Sequence, residues 1–555
     1  MPRSHLPHPA YLKNQRGQAL VFSLLTAVVV ILVLFATYNV GQQALAKMRL
    51  QNAADNTAYS VAIVQARDYN FSAYTNRAMV ANQVSVAQVV GLTSWARNYR
   101  EIYNGDFSWV AETMTSLGGP LNFLWKVPAP IMKTASNVFA QFMGMPNSTG
   151  AGKIVVTTLE VLIDTLRISQ TVSHYGTALT VAQMLGMTDM ADLMSRLGLD
   201  SFIDIDWSSD PAKSINNFLS GDHNIIRDNL ATARLSVPGW IAGIGYLAQW
   251  VRFTETKDPN LKAKDGEEAD RFGKVTINSL DYFSRDRSTK HSWMGFEGPY
   301  VSPAIVDPTV LIPTVNGVLT MFLWHRGGTE LKAVDPDGVV KRTWTALDAT
   351  GLFGVAIIWI TLPIPPFFIP IVIPAFPIPV GHGAAQSGVE MSGSAALSDS
   401  NDFDLDDASK AYGGAYRGWL TAVPAYLQQS QGAGKTLTMM TLGGKGGLRS
   451  YQDVKKVDKD NLSAPPLILE IEMAGTDIKT SNSVTTGRFA MQAGTRSNAM
   501  RALSKAQAYF ARPTKLWKRD DNKTELGSLY NPYWQAQLLP NSFAERYVSM
   551  AYQWL

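Results

Sequence analysis

The sequence of 555 residues contains no cysteine, which excludes disulfide bonds, thiolate metal sites and cysteine nucleophiles together. Histidine is also sparse, because only seven residues are spread along the chain and no two of them are four positions apart. The sequence therefore lacks an i, i+4 pair of histidines. The fold must be stable in any redox compartment without a covalent cross-link.

The chain has little net charge and no long basic block. The 49 lysines and arginines nearly balance the 45 aspartates and glutamates, which leaves a net charge of +4 and no long basic block. This distribution argues against nucleic acid as a partner. With 46% hydrophobic and 17% charged residues the chain has a globular composition, and its length predicts two to four folded units.

Catalytic and cofactor motifs are lacking too. No G-x-S-x-G or H-E-x-x-H occurs, and in SQGAGKTL Gln429 stands where a phosphate-binding loop needs its first glycine. The acidic stretch SDSNDFDLDD has alternating oxygen ligands that suit calcium, but Gly413 stands where an EF-hand has its last glutamate. Acidic residues at the start of a helix explain the stretch more simply. The sequence therefore predicts no enzyme, no cofactor and no metal site, with an envelope hydrolase of unidentified active site as an alternative.

The most prominent feature that is present is an apolar run, residues 19–36, with no charge and only Ser23 and Thr26 as polar members. Extended to residues 18–40, it meets the roughly 20 residues needed to cross a bilayer core of ~30 Å. Three basic residues and no acidic one precede it, and the first charge after it is Lys47. The positive charge before the run predicts a single-pass inner-membrane anchor with a cytoplasmic N-terminus and the bulk of the chain outside.

Two alternative fates of this run are open. A secretory signal would be cut after the Ala-Leu-Ala triplet at 44–46, but the triplet lies eight residues beyond the run, and the run exceeds the ~7–15 residues of a signal core. A prepilin-type leader would be cut between Gly17 and Gln18 and would leave the apolar stem in place. Phe22 occupies the fifth position after the glycine, where such substrates usually carry glutamate. We expect a retained anchor, with Gly17 and Gln18 as the candidate cleavage site.

The apolar run is predicted to continue outward as a helical stem. The stretch QQALAKMRLQNAADNTAYSVAIVQARDYNF is rich in helix formers, and no proline follows until Pro120. Small residues recur every four positions and form one helical face, on which another helix could pack closely: Ala54, Ala58, Ala62 and Ala66. An alanine-rich core helix gives the same pattern. From Gln18 to Ala66 the stem would measure roughly 70 Å at ~1.5 Å per residue.

The segments RGQALV and KMRLQNAADNTAYSVA resemble the TadE/TadG-like proteins of Tad (Flp-type) pilus systems. The segments ARDYNFSAYTNRAMVANQVSVAQ, SKAQAYFARP and LYNPYWQAQL resemble the longer proteobacterial members of that family. The resemblance covers about the first 95 residues and, more loosely, the last 50. Many TadG-type proteins carry a von Willebrand-like domain with a D-x-S-x-S metal motif, which is missing here, so metal-dependent adhesion is not implied.

This resemblance implies a function in association rather than catalysis. The expected protein is a minor pilin-like subunit or assembly factor of a Gram-negative cell, anchored in the inner membrane with its bulk in the periplasm. Its expected partners are the membrane, other pilus or pilin-like subunits and envelope assembly proteins. Incorporation into a surface pilus, and a membrane-engaging surface adhesin, stay open as alternatives.

The residue composition and hydrophobic patterns along the chain predict an α+β fold in consecutive parts. These are a basic leader (1–17), a transmembrane helix (18–40), a helical stem (41–100), a mainly helical domain (101–253), a charged, exposed connection (254–290), a β-rich domain (291–483) and a C-terminal helix with a docking tail (484–555).

Four patterns carry the secondary-structure predictions outside the stem. Asn316-Gly317 and the DPDG sequence at 335–338 each predict the turn of a β-hairpin. LILEIEMAG alternates apolar and polar residues, which predicts a half-exposed strand with Glu470 and Glu472 on its solvated face. SNAMRALSKAQAYFARP predicts the C-terminal helix.

The segment 351–381 is apolar enough for a membrane helix but has seven prolines between 363 and 379, which exclude one continuous helix. We expect an extended ribbon that packs in a groove of the protein, contacts a membrane or another subunit, or is re-entrant and shielded by other proteins. The candidate interface residues of the ribbon are Pro363, Pro366, Phe367, Phe368 and Pro370. Tyr533 and Trp534 near the C-terminus are explained by docking of the tail, with a protein interface as the alternative.

Overall fold

The structure is a computed structural model, and it describes fifteen stretches of the chain. These are residues 15–104, 128–144, 150–187, 224–259, 271–285, 287, 289–299, 315–334, 341–361, 368–374, 378–388, 440–455, 463–479, 499–512 and 525–554.

The described residues contain eight α-helices. They are α1 (Gln15–Asn104), α2 (Pro128–Met143), α3 (Ala151–Met184), α4 (Ile225–Asn229), α5 (Val237–Phe253), α6 (Arg271–Asn278), α7 (Tyr282–Arg285) and α8 (Phe543–Trp554). A short 3₁₀ turn spans Gly475–Asp477.

Twelve strands are present in the same stretches. They are β1 (Ala233–Leu235), β2 (Thr254–Lys257), β3 (Thr289–Pro299), β4 (Val315–Val334), β5 (Lys341–Thr361), β6 (Phe368–Pro374), β7 (Ile378–Gln386), β8 (Met440–Thr441), β9 (Tyr451–Val454), β10 (Leu467–Ala474), β11 (Ala499–Phe510) and β12 (Trp534–Leu539). Helices and strands are mixed, so the α+β class is confirmed.

The longest element is α1, which has 90 residues and a length of roughly 135 Å. It contains no proline. Its interior glycines lower the helix propensity slightly, but along most of its length tertiary packing stabilises the helix by more than this. The apolar run, the predicted stem and the first part of the predicted helical domain are therefore one continuous helix.

The chain forms two compact units that alternate along the sequence. Unit 1 comprises residues 1–74, 169–256 and 452–555, and unit 2 comprises residues 75–168 and 257–451. The consecutive domain boundaries that the sequence suggested stay a prediction.

Unit 1 is built on an antiparallel sheet of four strands in the order β1-β10-β11-β12. The register pairs Ile471 of β10 with Leu235 of β1 and with Ala502 of β11. The core of the unit joins the apolar face of this sheet to helical side chains such as Ala58 and Trp250, both 0% exposed.

Unit 2 is built on a sheet in the order β3-β4-β5-β7-β8, with β6 also paired to β5. Its centre is a long antiparallel ladder that runs from Val315 opposite Ile360 to Val334 opposite Lys341. The core of this unit packs Trp344 of β5 with Val86 and Val90 of α1.

One of the two hairpin predictions is confirmed and the other is wrong. Val334 lies opposite Lys341, so the strands on both sides of the DPDG sequence pair as predicted, although residues 335–340 lie outside the described stretches. Asn316 and Gly317 do not form a turn. They lie inside β4, opposite β3 on one side and β5 on the other, because ladders on both sides of the strand outweigh the local turn preference.

The predicted C-terminal helix SNAMRALSKAQAYFARP is a strand, β11. Alanine, lysine and glutamine favoured a helix by propensity, but the segment has a period of two: Ala502, Ser504, Ala506, Ala508 and Phe510 are buried and the residues between them are half-buried. Tertiary pairing with β10 and β12 overrides the weak propensity signal.

The connection predicted over 254–290 is not simply exposed. Thr254–Lys257 forms β2, which pairs with β9, and α6 buries Phe272 and Thr276. Residues 260–270, where the charge is densest, lie outside the described stretches.

The proline-rich segment is extended, as predicted, and not helical. Its described residues belong to β5, β6 and β7. The prolines fit because β6 pairs only with β5 in the described sheet, and because Pro379 of β7 lies at a register shift of the β5–β7 ladder.

Candidate functional site

The apolar part of α1 is solvent-exposed along its length. The most apolar window of 18 residues in the described helices lies in Gly17–Asn104, near the N-terminus, and none of it is buried. Leu20, Leu24 and Val33 are 58–67% exposed. The helix is therefore long and apolar enough to span a membrane.

The candidate leader cleavage site lies at the start of this exposed segment. Gly17 and Gln18 are both exposed. A Cβ added to Gly17 would have no contact within 4 Å. The geometry leaves both residues accessible, and cleavage after Gly17 stays a prediction.

Beyond the apolar run, α1 lies along β11 of unit 1. The Lys47 ammonium donates a hydrogen bond to the carbonyl oxygen of Arg501, and the Gln51 amide donates to the carbonyl oxygen of Leu503 at 3.0 Å. The second contact lies four residues further along α1 and two residues further along β11, and both steps cover roughly 6 Å. The two elements therefore run in the same direction. Burial lowers the pKa of Lys47, while the nearby Glu470 carboxylate opposes that shift.

Asn70 connects α1 to unit 1 at the end of their contact that is farther from the apolar run. Its amide nitrogen donates to the Trp534 carbonyl oxygen at 2.9 Å, and the Trp534 amide donates to the Asn70 side-chain oxygen at 3.0 Å. The Trp534 ring is 3% exposed and packs on Tyr69, Phe510 and Phe253, with ring centroids 4.9, 5.5 and 6.0 Å away. This burial is what docking of the tail requires, and a role of Trp534 in a protein interface stays a prediction. Tyr533 is half-buried, and its role in an interface stays a prediction.

The small-residue face of the stem lies inside unit 1. Ala54, Ala58, Ala62 and Ala66 are 0–5% exposed and belong to the core of the unit. The close approach that alanine permits is therefore used by the protein's own fold. Packing of this face against a second stem stays a prediction.

The glutamates of β10 are buried rather than solvated, which corrects the half-exposed strand. Glu470 is 3% and Glu472 8% exposed. Arg501 lies 3.3 Å from Glu472, Arg234 reaches it at 2.9 Å, and the Ser236 hydroxyl donates to Glu470 at 3.0 Å. The partners come from β1, β11 and the start of α5, so the strand sequence alone gave no signal of them.

A buried hydrogen-bond chain in unit 1 links α1, α3 and β2. The Asp68 carboxylate lies 2.6 Å from His174 Nδ1, and His174 Nε2 lies 2.9 Å from the Thr254 hydroxyl. The order carboxylate, imidazole, hydroxyl is that of a nucleophilic triad. All three side chains are buried, with exposures of 3%, 1% and 7%, so the hydroxyl is not presented to a substrate. The arrangement ties three elements together and carries no catalytic assignment.

A second buried network lies in unit 2. Arg287 binds Asp348 in a bidentate manner, with distances of 2.8 and 3.0 Å, and His325 Nε2 lies 3.1 Å from the same carboxylate. Burial by itself raises the pKa of Asp348, but the charge of Arg287 and the hydrogen bonds from His325 and Arg287 outweigh it and hold the pKa below its usual range. Gly327 is required beside the pair, because a Cβ there would lie 1.9 Å from an Asp348 oxygen.

A glycine-rich loop in unit 2 encloses a carboxylate of the same unit. The Lys445 amide donates to Glu160 at 2.6 Å, and Arg449 lies 3.6 Å from the same oxygen. Gly444 has φ +88°, and a Cβ there would lie 2.3 Å from Glu160. Burial raises the pKa of Glu160, against the opposing effect of the Lys445 amide and Arg449. Sequence reasoning missed this site, although the glycine pairs that flank Lys445 in LGGKGGL were a visible signal.

The candidate interface residues of the proline-rich ribbon are only partly described. Pro370 and Ile371 of β6 are exposed, and the strand begins at Phe368. Pro363, Pro366 and Phe367 lie outside the described stretches. The same holds for SQGAGKTL and the acidic stretch SDSNDFDLDD, so neither of those hypotheses is tested.

The described residues contain no group of three or more metal-ligating side chains.

The decisive comparison concerns the stem. Residues 17–66 match the model of the Tad family, Flp pilus-assembly TadE/G-like. This segment is TadE/G-like. No curated protein and no solved structure matches the chain.

The TadE/G-like segment has clear structural bounds. It begins at Gly17, two residues before the exposed apolar run, and ends at Ala66, the last alanine of the buried face. It therefore combines a helix able to span a membrane with the part of the same helix that forms the core of unit 1. The match connects the chain with Flp/Tad pilus assembly.

Proposed function

We propose that this protein is a membrane-anchored minor pilin-like subunit or assembly factor of a Tad/Flp-type pilus, and that it acts by association with other proteins outside the inner membrane. One observation carries the proposal. The TadE/G-like match over residues 17–66 coincides with an exposed apolar helix that continues into the core of a folded unit.

The proposed topology is a single pass with the N-terminus in the cytoplasm and both units in the periplasm. It is supported by the three basic residues before the apolar run and by Lys47, the first charge after it, which is engaged by unit 1. A helix that is continuous from the run to Asn70 would transmit any movement of the anchor to unit 1.

The proposed association surfaces are those that the fold leaves uncovered. Because the alanine face is buried in unit 1, contact between stems would use the apolar run itself, including Ser23 and Thr26, whose hydroxyls bond to the preceding turn. Outside the membrane, the exposed residues Pro370 and Ile371 of β6 are a second candidate. No cofactor is needed for either kind of contact.

The proposal is tested by pilus assembly in cells. In a strain that lacks this protein, we expect surface pili to be restored by the natural chain and not by Leu24→Arg/Val28→Arg, because each arginine at the membrane centre costs roughly 2.5–3.5 kcal/mol of insertion free energy. Met48→Arg is the matched control, since Met48 is 57% exposed and lies beyond the run. Electron microscopy counts the pili. Normal piliation without the protein would contradict the function.

N-terminal sequencing of the mature protein completes the test. A first residue of Gln18 would indicate prepilin-type processing, a first residue of Lys47 would indicate secretion, and an intact leader would indicate a fixed anchor. The secretion result would contradict the proposed anchoring.

A further inference from the structure

Helix α3 has two different faces over residues 151–168, which belong to unit 2. One face packs into the unit: Val156 and Ile163 are 0% exposed, and Val156 belongs to the core that contains Val86 and Val90 of α1. The opposite face carries five aliphatic side chains that are 40–64% exposed. We call this set the α3 stripe, and it consists of Ile154, Val155, Val161, Leu162 and Ile168.

The α3 stripe has the spacing of a seam between two helices. Its residues repeat every seven positions, at 154, 161 and 168 and again at 155 and 162. Thr158 and Thr165 are also exposed, so positions 154, 158, 161, 165 and 168 alternate by four and three. This heptad period lets two helices stay in contact along their length with a slight left-handed supercoil. The seam faces away from the core of unit 2, so its natural occupant is a helix of another molecule.

The charges of the same stretch lie off the α3 stripe. The four charged residues are at positions 153, 160, 164 and 167, which at ~100° per residue fall within an arc of roughly 60° that contains no residue of the stripe. Unit 2 itself engages two of them, because the glycine-rich loop holds Glu160 and Arg449 pairs with Asp164 at 2.6 Å. A charged partner would find no counterpart on the stripe, whereas two identical stripes meet without repulsion.

The size of the α3 stripe fits a reversible contact between two copies. Five half-exposed aliphatic side chains form a patch on the order of 500 Å², which is the size of functional apolar patches on single chains. Two copies would bury roughly 1,000 Å² in total, less than the ~1,200–2,000 Å² of stable complexes. Anchoring in one membrane raises the effective concentration of the two chains, and a contact of this size then suffices.

Lipid is not the occupant, because the α3 stripe lies far from the apolar run of α1. In unit 2, Gly152 lies against Thr93 of α1, and Val156 packs in the core with Val86. Val86 is 46 residues beyond Val40, which is roughly 69 Å along the helix. Ile168 lies 12 residues beyond Val156, which shortens this separation by at most ~18 Å.

We propose that the α3 stripe is an interface between two copies of this chain, whose α3 helices pack side by side and in parallel. The inference rests on the proposed function: two copies anchored in one membrane are related by an axis along the membrane normal, so their α3 helices run in the same direction. Each residue of the stripe then meets its own counterpart. Val161 packs on Val161 of the second copy at the centre, and Thr158 and Thr165 place hydroxyl groups opposite each other.

The absence of cysteine from the chain allows a direct test, because a single introduced cysteine reports on its own position. Full-length Val161→Cys is produced in its cells, and the isolated membranes are treated with copper phenanthroline in air. Lys153→Cys is the matched control, since Lys153 is exposed on the same helix but lies off the stripe. Non-reducing electrophoresis measures the fraction of the chain that migrates at twice its mass.

We expect the cross-linked fraction to be at least about fivefold larger at position 161 than at position 153, because matching seam residues approach disulfide distance and residues on the outer flank do not. Adding Ile154→Glu and Ile168→Glu to Val161→Cys should lower the fraction by a similar factor, since like charges then meet across the seam. Both isoleucines are more than half exposed, so these substitutions leave the core of unit 2 intact.

The direction of the two helices is tested by mixing differently tagged Ile154→Cys and Ile168→Cys chains in one membrane. Parallel helices keep these positions roughly 21 Å apart, so no disulfide should join the two tags. A disulfide between positions 154 and 168 would contradict the parallel arrangement.

Three results would overturn the interface itself. These are equal cross-linking at positions 161 and 153, an adduct of position 161 with a different polypeptide, and protection of position 161 from maleimide in the uncross-linked chain, which would mean that the chain covers its own stripe. Alkaline carbonate extraction of the same membranes separates this failure from that of the proposed function. If the chain stays with the membranes, only the interface fails, whereas release of the chain contradicts the anchoring and the parallel arrangement with it.

Discussion

Asp348→Ala is expected to destabilise unit 2 by about 3–5 kcal/mol, because it leaves the Arg287 guanidinium buried without its charge partner. Both side chains of the pair are at most 1% exposed, so water cannot replace the lost contacts. Arg287 also donates to Gly328 and Thr329, which fixes the guanidinium in place and prevents it from turning toward solvent. Hydrogen exchange of the β4 and β5 amides in the full-length chain measures the loss.

Two variants separate this effect from the removal of any carboxylate. Asp164→Ala breaks the 2.6 Å pair with Arg449 in the same unit, but the Asp164 side chain is 28% exposed, so the expected loss is at most about 1 kcal/mol. Arg287→Met/Asp348→Leu removes both charges and is expected to recover most of the stability. Equal losses in Asp348→Ala and Asp164→Ala would contradict the assignment of the pair as a buried anchor.

The same carboxylate sets a pH dependence whose sign is fixed. The folded pKa of Asp348 is lower than the ordinary 3.8, so its contribution to the stability of unit 2 is complete above that value and is lost as the pH falls through the folded pKa. In Asp348→Asn this acid-dependent part of the unfolding free energy should be missing.

Trp534→Ala is expected to destabilise unit 1 by about 3–5 kcal/mol, the usual cost of removing a buried tryptophan. The indole fills the space between Tyr69, Phe253 and Phe510, and its Nε1 donates to the Ser528 carbonyl oxygen at 3.1 Å. Loss of the ring leaves a cavity and an unpaired carbonyl at the point where the tail meets the stem. Urea unfolding followed by exchange of the β11 and β12 amides measures the effect.

Phe543→Ala is the matched control for this prediction. It removes an aromatic ring from the same C-terminal region, but that ring is 81% exposed, so the expected change lies within about 0.5 kcal/mol. Trp534→Phe should fall between the two. If Trp534→Ala were as mild as Phe543→Ala, the indole would not be holding β12 to α1.

The sequence predicted the parts of the fold that depend on local pattern. The apolar run, the continuous stem and the extended proline-rich segment were all evident from uninterrupted composition or from proline itself. The antiparallel pairing of β4 with β5 on both sides of residues 335–340 followed from the DPDG sequence between them. In each case the signal lies within about 30 residues of chain, where periodicity and backbone chemistry act directly.

The parts that sequence reasoning missed depend on partners far along the chain. Asp68 and His174 are 106 residues apart, and Thr254 follows 80 residues later. Glu472 appears solvated until Arg234, 238 residues upstream, is placed beside it. Strand β11 was predicted as a helix because alanine and lysine favour helices locally, whereas its two neighbouring strands decide its conformation.

The central claim is that α1 stays in the inner membrane and carries both units on its outer side. The most direct measurement is labelling of Tyr74→Cys and Val30→Cys in spheroplasts with a membrane-impermeant maleimide, followed by alkaline carbonate extraction of the membranes. We predict that position 74 is labelled before lysis, that position 30 reacts only after detergent is added, and that the chain stays with the membranes. Release of the chain by carbonate, or protection of position 74 until the cells are lysed, would contradict the account.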